Sequence, residues 1–282
     1  MAMPDFIGIG AQKAGTTWLY DMLAQNPSIW LPPLKEVHFF DYLDAPPARR
    51  LKRAAHIEKV AGRLERGKLD KGSEGDGAAK AAHLRSLVGD HLLTQDWYGS
   101  IFDYPDAKGR VTGEITPAYL ELDEKGMATL SDMLPKTRFV LIIREPAART
   151  MSQLKMAVAR SKADPSGGTK DWAFFLKKIK TNTRGNYQTA IPLWQQSVGA
   201  ERLLIRPFGM VRHQPAALIR EIEAFIGAEH FDSYTDMSEP SHKTKEVAAV
   251  PDWVAREVEE MAAPQKDYLI EAFGEEFYKN TR

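Results

Sequence analysis

The sequence of 282 residues contains no cysteine, which excludes disulfide bonds and thiolate metal sites. The 38 lysine and arginine residues are balanced by 38 aspartate and glutamate residues, so no overall charge draws the chain to nucleic acid or to an anionic membrane. No apolar run has the length of a membrane span, and no secretory leader precedes the first predicted strand. We therefore expect a cytoplasmic protein that has no membrane span and does not bind nucleic acid.

The balanced net charge conceals two locally basic segments. Residues 49–85 contain eleven Lys or Arg residues against five Asp or Glu residues, and residues 155–184 contain eight against two. Such a surplus occurs on ordinary solvated helix faces, and it is also typical of the rim of a site for an anionic substrate. The composition leaves both interpretations open.

Short apolar runs alternate with amphipathic segments along the chain. The runs predict strands at residues 6–10, 29–31, 110–114, 138–144 and 202–206. The amphipathic segments predict helices at residues 17–25, 124–134, 149–159, 171–182, 187–197, 215–226 and 251–273. This alternation predicts an α/β protein with a P-loop-type three-layer fold, in which helices flank a central parallel β-sheet of about five strands.

The domain organisation predicted from the sequence is simple. The length suits one large domain, and no internal repeat or linker divides the chain, so residues 1–282 are expected to form a single domain. Two segments rich in glycine and charge but poor in apolar residues, 67–80 and 161–170, are predicted to be mobile surface loops.

Near its start the chain reads FIGIGAQKAGTTWLYDML, which has the order of a phosphate-binding loop: an apolar strand, glycines, then a helix. Gly10 and Gly15 have the spacing of the nucleoside-triphosphatase loop G-x-x-x-x-G-K-[ST], and Thr17 takes its Ser/Thr position. The lysine differs, because Thr16 stands in its place and Lys13 lies inside the loop. Backbone amides, both hydroxyls and the positive end of the following helix would suit one phosphate group.

Two common nucleotide sites fit the sequence less well. A triphosphatase holds Mg²⁺ with an aspartate at the end of a hydrophobic strand, but the strand RFVLII is followed by Arg144, which would repel a metal and attract a second phosphate. A Rossmann site is disfavoured because Lys13 stands where the third glycine belongs. The sequence therefore predicts two anion pockets and no metal site.

Four segments between residues 6 and 226 resemble the sulfotransferases that use 3′-phosphoadenosine 5′-phosphosulfate (PAPS). QKAGTTWL resembles the 5′-phosphosulfate loop of that family, and REPAARTMSQL resembles its 3′-phosphate segment. Two further segments, KEVHFFD and DWYGSIF…GEITPAYL, resemble the heparan-sulfate type of sulfotransferase and its bacterial relatives. The heparan-sulfate type includes the N-deacetylase/N-sulfotransferases and the 3-O-sulfotransferases, and these segments resemble it more than they resemble the cytosolic phenol and steroid type. The resemblance implies transfer of a sulfuryl group from PAPS to a hydroxyl or amine, with adenosine 3′,5′-bisphosphate (PAP) as product and no metal required.

The resemblance also implies which residues bind the donor. Lys13 would approach the oxygen that bridges sulfur and the 5′-phosphate and stabilise the charge that develops there. Arg144 and Ser152 would bind the 3′-phosphate, and Trp18 would either stack on adenine or pack in the core. The loop residues that would hold the 5′-phosphate are Gln12, Ala14, Gly15, Thr16 and Thr17.

Two residues compete for the role of catalytic base. The glutamate of the motif K-E-x-x-F-F has this role in the heparan-sulfate type, and the resemblance assigns it to Glu36. The phenol and steroid type uses a histidine, so His38 is the rival. Glu36 is the favoured candidate, on the expectation that it lies beside Lys13 and an oriented hydroxyl.

The chain departs from the heparan-sulfate pattern in two places. Ile115 stands where many of those enzymes have the lysine of E-K-T-P, which weakens the case for a polysulfated sugar acceptor. The segment SEPSHKTKEV takes the place of a disulfide-supported loop, and its Lys243 and Lys245 either reach the 3′-phosphate or lie in a solvated loop. The acceptor therefore stays open, with a small molecule, a glycan or a lipid headgroup as candidates, and the oligomeric state is not predicted.

Two other functions are compatible with the loop. One is a P-loop nucleotide kinase or triphosphatase with an atypical loop, which would require Mg²⁺ and a triphosphate. The other is a non-catalytic nucleotide-binding module, against which the presence of both Lys13 and Glu36 argues.

Overall fold

The computed structural model describes residues 2–67, 77–160, 169–181, 184–238 and 249–282. The strands are β1 (Phe6–Gly10), β2 (Ile29–Trp30), β3 (Val111–Ile115), β4 (Arg138–Ile143) and β5 (Leu203–Pro207). They form a five-stranded parallel sheet in the order β2-β3-β1-β4-β5. Because ligands bind beyond the carboxyl ends of such strands, the residues that follow the strands are positioned to bind a ligand.

Helices cover the sheet. Within the described ranges the α-helices are α1 (Thr16–Leu23), α2 (Pro47–Glu65), α3 (Gly77–Ser86), α4 (Gln95–Phe102), α5 (Glu124–Met133), α6 (Pro146–Arg160), α7 (Thr169–Lys180), α8 (Tyr187–Val198), α9 (Gly209–His213), α10 (Pro215–Ile226), α11 (Asp252–Phe273) and α12 (Glu275–Lys279). Two short 3₁₀ helices, Phe40–Tyr42 and Pro117–Glu121, follow β2 and β3.

The middle strand β1 is buried along its whole length, which explains its continuous apolar sequence. It pairs with β3 on one side and β4 on the other. Gly113 of β3 lies against the ring of Phe6, where a Cβ atom would come within 2.3 Å of the ring. The close approach of these two strands therefore depends on a residue without a side chain.

Helix α6 is held from one side by a second apolar cluster. Leu154 of α6, Trp172 and Leu176 of α7, and Val254 and Val258 of α11 are all buried in this cluster. Their packing anchors the face of α6 that carries Leu154 and leaves the face with Ser152 available to the carboxyl ends of the strands.

The fold class predicted from the sequence is confirmed, and the five strands begin and end within one residue of their predicted positions. Some predicted boundaries were wrong. Helix α6 begins at Pro146, because proline is tolerated in the first helical turn and the Glu145 carboxylate accepts hydrogen bonds from the amides of Ala147 (3.2 Å) and Ala148 (2.6 Å).

The two predicted loops were drawn too long. Residues 77–80 are the first turn of α3, whose alanine-rich sequence has high helix propensity and whose Ala81 and Leu84 are buried. Residues 169–170 are the first residues of α7. The remaining parts of both predicted loops, 68–76 and 161–168, lie outside the described residues.

Candidate active site

The loop between β1 and α1 presents its backbone to the carboxyl edge of the sheet. The Ala11 amide donates to the Ile142 carbonyl (2.9 Å), which fixes the loop against β4. Gly15 precedes α1 with φ 83°, and a Cβ atom there would lie 3.0 Å from the ring of Phe208. No side chain caps α1 and no acidic residue lies in its first turn. The first-turn amides, including those of Thr16 and Thr17, therefore form a positive helix end that suits an anion.

Lys13 and Arg144 meet in this loop. Arg144 Nη1 donates a hydrogen bond to the Lys13 carbonyl oxygen (2.9 Å). The Lys13 ammonium lies 3.9 Å from the sulfur of Met156, which is one helical turn beyond Ser152 on the same face of α6. Burial, followed by the charges of Arg144 and Arg160, lowers the pKa of Lys13. The structure thus brings together the loop, Arg144 and the α6 face that carries Ser152.

A cavity of about 410 Å³ adjoins Arg144 and is lined by Arg144, Glu145, Ala148, Arg212, Glu259 and Arg282. The guanidinium groups of Arg144 and Arg212 lie 5.0 Å and 5.2 Å from the centre of the Phe208 ring. Burial and then the charge of Arg212 lower the pKa of Arg144. The three arginines outnumber the two glutamates in this lining, so the cavity has a modest surplus of positive charge that favours an anionic group. Arg212 and Arg282 were not among the predicted residues, because no local motif marks them.

Lys35 connects the Glu36 segment to α1. Its ammonium donates to the Thr17 hydroxyl at 2.5 Å. Burial lowers the pKa of Lys35, although the nearby Glu36 and Asp21 carboxylates oppose this effect. Lys35 was not predicted as a site residue, although the motif K-E-x-x-F-F that pointed to Glu36 begins with this lysine.

Glu36, His38 and Asp41 form a chain of charged groups. His38 Nδ1 donates to Asp41 Oδ2 (2.7 Å), and His38 Nε2 lies 3.3 Å from Glu36 Oε2. Burial alone would lower the pKa of His38, but its hydrogen bonds with the two carboxylates raise it to about 9. The Glu36 side chain is 40% exposed, whereas that of His38 is 18% exposed. Both ring nitrogens of His38 are engaged, so Glu36 is the group of the two that can receive a proton from a bound molecule.

The electrostatics of Glu36 follow from the same contacts. Burial alone would raise the pKa of Glu36, but the hydrogen bond from His38 and the charges of His38, Lys35 and Arg184 bring it below its ordinary value. Glu36 is therefore an ionised carboxylate at neutral pH.

The backbone around Glu36 is strained and supported. Glu36 and His38 have φ values of 63° and 54°, in the left-handed region that costs a residue with a side chain on the order of 1–3 kcal/mol. Arg53 Nη2 donates to the Glu36 carbonyl (2.8 Å), and the Phe39 amide donates to the Tyr119 hydroxyl (2.9 Å). These contacts from α2 and from the 3₁₀ helix after β3 hold the backbone of the Glu36 segment in place.

Ile115, the residue that departs from the heparan-sulfate pattern, is in the core. It is 1% exposed and contacts Gly8 of β1. The neighbouring Glu114 is also buried, and it accepts hydrogen bonds from the hydroxyls of Tyr98 (2.7 Å) and Thr116 (2.5 Å). Burial raises the pKa of Glu114.

The remaining predicted donor residues lie in different environments. Trp18 is 4% exposed, and its indole N–H donates to the Met237 carbonyl (2.8 Å), so it packs in the core and tethers the segment after α10. The side-chain oxygen of Gln12 is buried and has no hydrogen-bond partner in the described part of the chain. Ala14 is buried beneath the loop. Lys243 and Lys245 lie outside the described residues.

The described ranges contain neither a metal-binding cluster nor a helix that could span a membrane. No cluster of three or more histidine, aspartate or glutamate side chains there could hold a metal ion. None of the helices in those ranges combines the length and apolar character that crossing a membrane requires.

Solved structures similar to this chain share its fold. The sulfotransferase from Alicyclobacillus acidocaldarius has 19% sequence identity and a TM-score of 0.65, with 100% of both chains covered. The sulfotransferase domain from the Synechococcus PCC 7002 olefin synthase has 19% identity and a TM-score of 0.54, covering 93% of this chain and 95% of that one. The sulfotransferase domain from the curacin biosynthetic pathway has 13% identity and a TM-score of 0.55, covering 90% and 83%. At these identities the similarity shows the fold alone.

The sequence itself shows the family. A family model described as Sulfotransferase family matches residues 4–233, a range that includes the β1–α1 loop, the Glu36 segment and Arg144. None of the curated proteins compared with the chain matches it. The chain therefore belongs to the sulfotransferase family, the class of enzymes that transfer a sulfuryl group, and this confirms the class predicted from its motifs.

Proposed function

We propose that the enzyme uses PAPS as donor and transfers its sulfuryl group to a hydroxyl or amine of an acceptor, releasing PAP. The observation that carries this proposal is the hydrogen bond from Arg144 Nη1 to the Lys13 carbonyl (2.9 Å). It joins the two segments that the family resemblance assigns to the two phosphate ends of the nucleotide.

The residues present fit such a donor. The amides of α1 and the hydroxyls of Thr16 and Thr17 would hold the 5′-phosphate by donating hydrogen bonds to its oxygens. Arg144 and Ser152 would hold the 3′-phosphate, and the arginine-lined cavity beside Arg144 supplies further positive charge. Each hydrogen bond to a charged group contributes roughly 1.5–3 kcal/mol, so several of them give tight binding without a metal.

PAPS supplies an activated sulfuryl group when bound, and the side chains of this chain act at the two ends of the transfer. Lys13 stabilises the negative charge on the oxygen that leaves sulfur. Glu36 accepts the proton that the acceptor oxygen or nitrogen loses as it bonds to sulfur. Lys35 donates a hydrogen bond to Thr17, and this contact holds the Glu36 segment next to the donor loop.

We assign the base to Glu36 rather than to His38. Each nitrogen of the His38 ring already contacts a carboxylate, and its raised pKa keeps it protonated at neutral pH. In this arrangement His38 orients the Glu36 carboxylate and does not itself receive the proton. The heparan-sulfate type of site, with its glutamate base, is the closest pattern to the one proposed.

Nucleotide binding tests the donor assignment directly. Thermal shift and calorimetry should show that PAP stabilises the protein and that ATP with Mg²⁺ does not. Arg144→Gln should weaken PAP much more than 5′-AMP, because only PAP carries the 3′-phosphate, and Arg220→Gln, a change at an exposed position on α10, should have no effect. Stabilisation by ATP with Mg²⁺ but not by PAP would instead favour a nucleotide kinase or triphosphatase.

A further inference from the structure

The outer side of helix α2 carries positive charge on one face. Lys52, Lys59 and Arg63 are exposed and, at about 3.6 residues per turn, lie within about 40° of arc around the helix axis. His56, which is also exposed, lies on the same face. None of the three cations has a hydrogen bond or an ion pair within the described part of the chain. We call these four residues the basic face.

The acidic residues of α2 do not offset this charge. Glu58 and Glu65 lie about 100° or more around the helix from the basic face. Both pair with Arg85 of α3, whose Nε atom is 3.2 Å from Glu58 Oε2 and whose Nη2 atom donates to Glu65 Oε2 (2.9 Å). Lys59 and Arg63 are four residues apart, a spacing at which like charges weaken a helix. A bound anionic group would relieve this repulsion.

An exposed apolar strip adjoins the basic face. Leu51 is 72% exposed, more than any other large hydrophobic side chain among the described residues. Ala48 and Ala55, which are also exposed, lie on the same side of the helix as Leu51. A soluble polyanion would leave such a leucine in water, whereas a helix at a membrane surface buries its apolar side chains and places its lysines among the headgroups. The two adjoining strips therefore favour an anionic lipid surface.

The amino-terminal half of α2 contacts the segment that carries Glu36. The guanidinium of Arg49 lies 5.0 Å from the centre of the Tyr42 ring, and Tyr42 stacks on His38 with the ring centres 5.0 Å apart. Arg53 Nη2 donates to the Glu36 carbonyl (2.8 Å). A surface bound along the outer side of α2 would therefore adjoin the segment of the proposed base.

We propose that the basic face of α2, together with Leu51, binds an anionic lipid surface. Each lysine or arginine close to such a surface is attracted to it, and burial of the leucine adds a contact that salt does not screen. The balanced charge of the whole chain does not oppose this contact, because exposed charges beyond a Debye length of about 8 Å are largely screened at physiological salt. The inference goes beyond the proposed function and does not depend on which donor the enzyme uses.

Sedimentation of the intact protein with vesicles, in the absence of nucleotide, tests this surface. The wild type should bind vesicles made of equal parts phosphatidylcholine and phosphatidylglycerol, and it should not bind vesicles of phosphatidylcholine alone. Salt at roughly 1 M, where the Debye length is about 3 Å, should release most of the bound protein. The double variant Lys52→Gln/Lys59→Gln should lower the partition coefficient roughly 30-fold. The control Lys108→Gln/Lys136→Gln removes the same charge from exposed positions before β3 and β4, at the opposite edge of the sheet, and should leave binding unchanged.

Leu51→Ser distinguishes a lipid surface from a soluble acidic partner. It should weaken binding to the mixed vesicles roughly tenfold and leave binding to poly-L-glutamate unchanged. All of the substituted side chains are exposed, so the melting temperatures should match that of the wild type. Equal binding to neutral and mixed vesicles, wild-type partitioning of the double lysine variant, or no effect of Leu51→Ser would overturn the inference. Binding to poly-L-glutamate without binding to mixed vesicles would also overturn it and would assign the face to a soluble acidic partner.

Discussion

Replacing Asp41 with asparagine tests the charge arrangement around His38. Burial favours the neutral ring, but the hydrogen bonds with Asp41 and Glu36 outweigh it and raise the pKa of His38 from 6.5 to about 9. Because one unit of pKa difference between the folded and unfolded states corresponds to about 1.4 kcal/mol, protonated His38 contributes about 3 kcal/mol to the free energy of unfolding. The contact with Asp41 (2.7 Å) is shorter than that with Glu36 (3.3 Å), so we assign Asp41 about 2 kcal/mol of this contribution.

The stabilisation has a defined pH window. The pKa of His38 is higher in the folded state than in the unfolded state, so the contribution is complete below pH 6.5 and is lost as the pH rises through about 9. We therefore expect Asp41→Asn to lower the free energy of unfolding by about 2 kcal/mol at pH 6, and by much less at pH values above 9.

Urea denaturation followed by tryptophan fluorescence between pH 6 and pH 10 measures this difference, and NMR of the imidazole nitrogens reports the pKa of His38 directly. Asp44→Asn is the matched control, because Asp44 is 72% exposed and pairs with a lysine, Lys125, that is 63% exposed. The control should stay within about 0.5 kcal/mol of wild type. An Asp41→Asn curve parallel to wild type at every pH, or an unchanged His38 titration, would refute the reasoning.

Three other changes test the site and the sheet. Lys13→Ala should lower kcat about 10²–10³-fold, because a preorganised charge at the leaving oxygen is lost, while calorimetry should show a much smaller change in PAP affinity; the reverse pattern would contradict the assigned role. Glu36→Gln should abolish turnover of labelled PAPS with PAP affinity near wild type, and retained turnover would transfer the base to His38. Gly113→Ala should lower the Tm markedly, because its Cβ would lie 2.3 Å from the ring of Phe6 and overpacking costs about 1–3 kcal/mol; an unchanged Tm would disprove this contact.

The sheet and the loop between β1 and α1 could be predicted from the sequence because each follows a local rule. A strand covered on both faces has a continuous apolar run, as RFVLII has in β4. The strand–glycine–helix order places a positive helix end directly after β1. Helix α2 was not predicted, because its buried stripe of Ile57, Val60, Ala61 and Leu64 is narrow and is set in a strongly basic sequence.

Contacts between segments that are distant in the sequence could not be predicted in the same way. Glu121 and Arg184 are far apart in the sequence, and they meet because α8 packs beside the 3₁₀ helix that follows β3 in the sheet order β2-β3-β1-β4-β5. Strand order is a property of the whole sheet, so no local sequence pattern predicts these contacts. The sequence favoured Glu36 over His38 as the base but left both candidates open, because their relative exposure and the contact with Asp41 appear only in three dimensions.

The charge on His38 also limits how Glu36 takes part in the proposed reaction. A carboxylate whose pKa is lowered is a weak base, so Glu36 cannot remove the acceptor proton before the bond to sulfur forms. Proton transfer becomes favourable only as the attacking atom gains acidity during the transfer. In the proposed reaction, Lys13 likewise acts on charge that develops at the leaving oxygen. Because both side chains stabilise charge that exists in the transition state and not in the bound nucleotide, their loss should lower kcat while sparing PAP affinity.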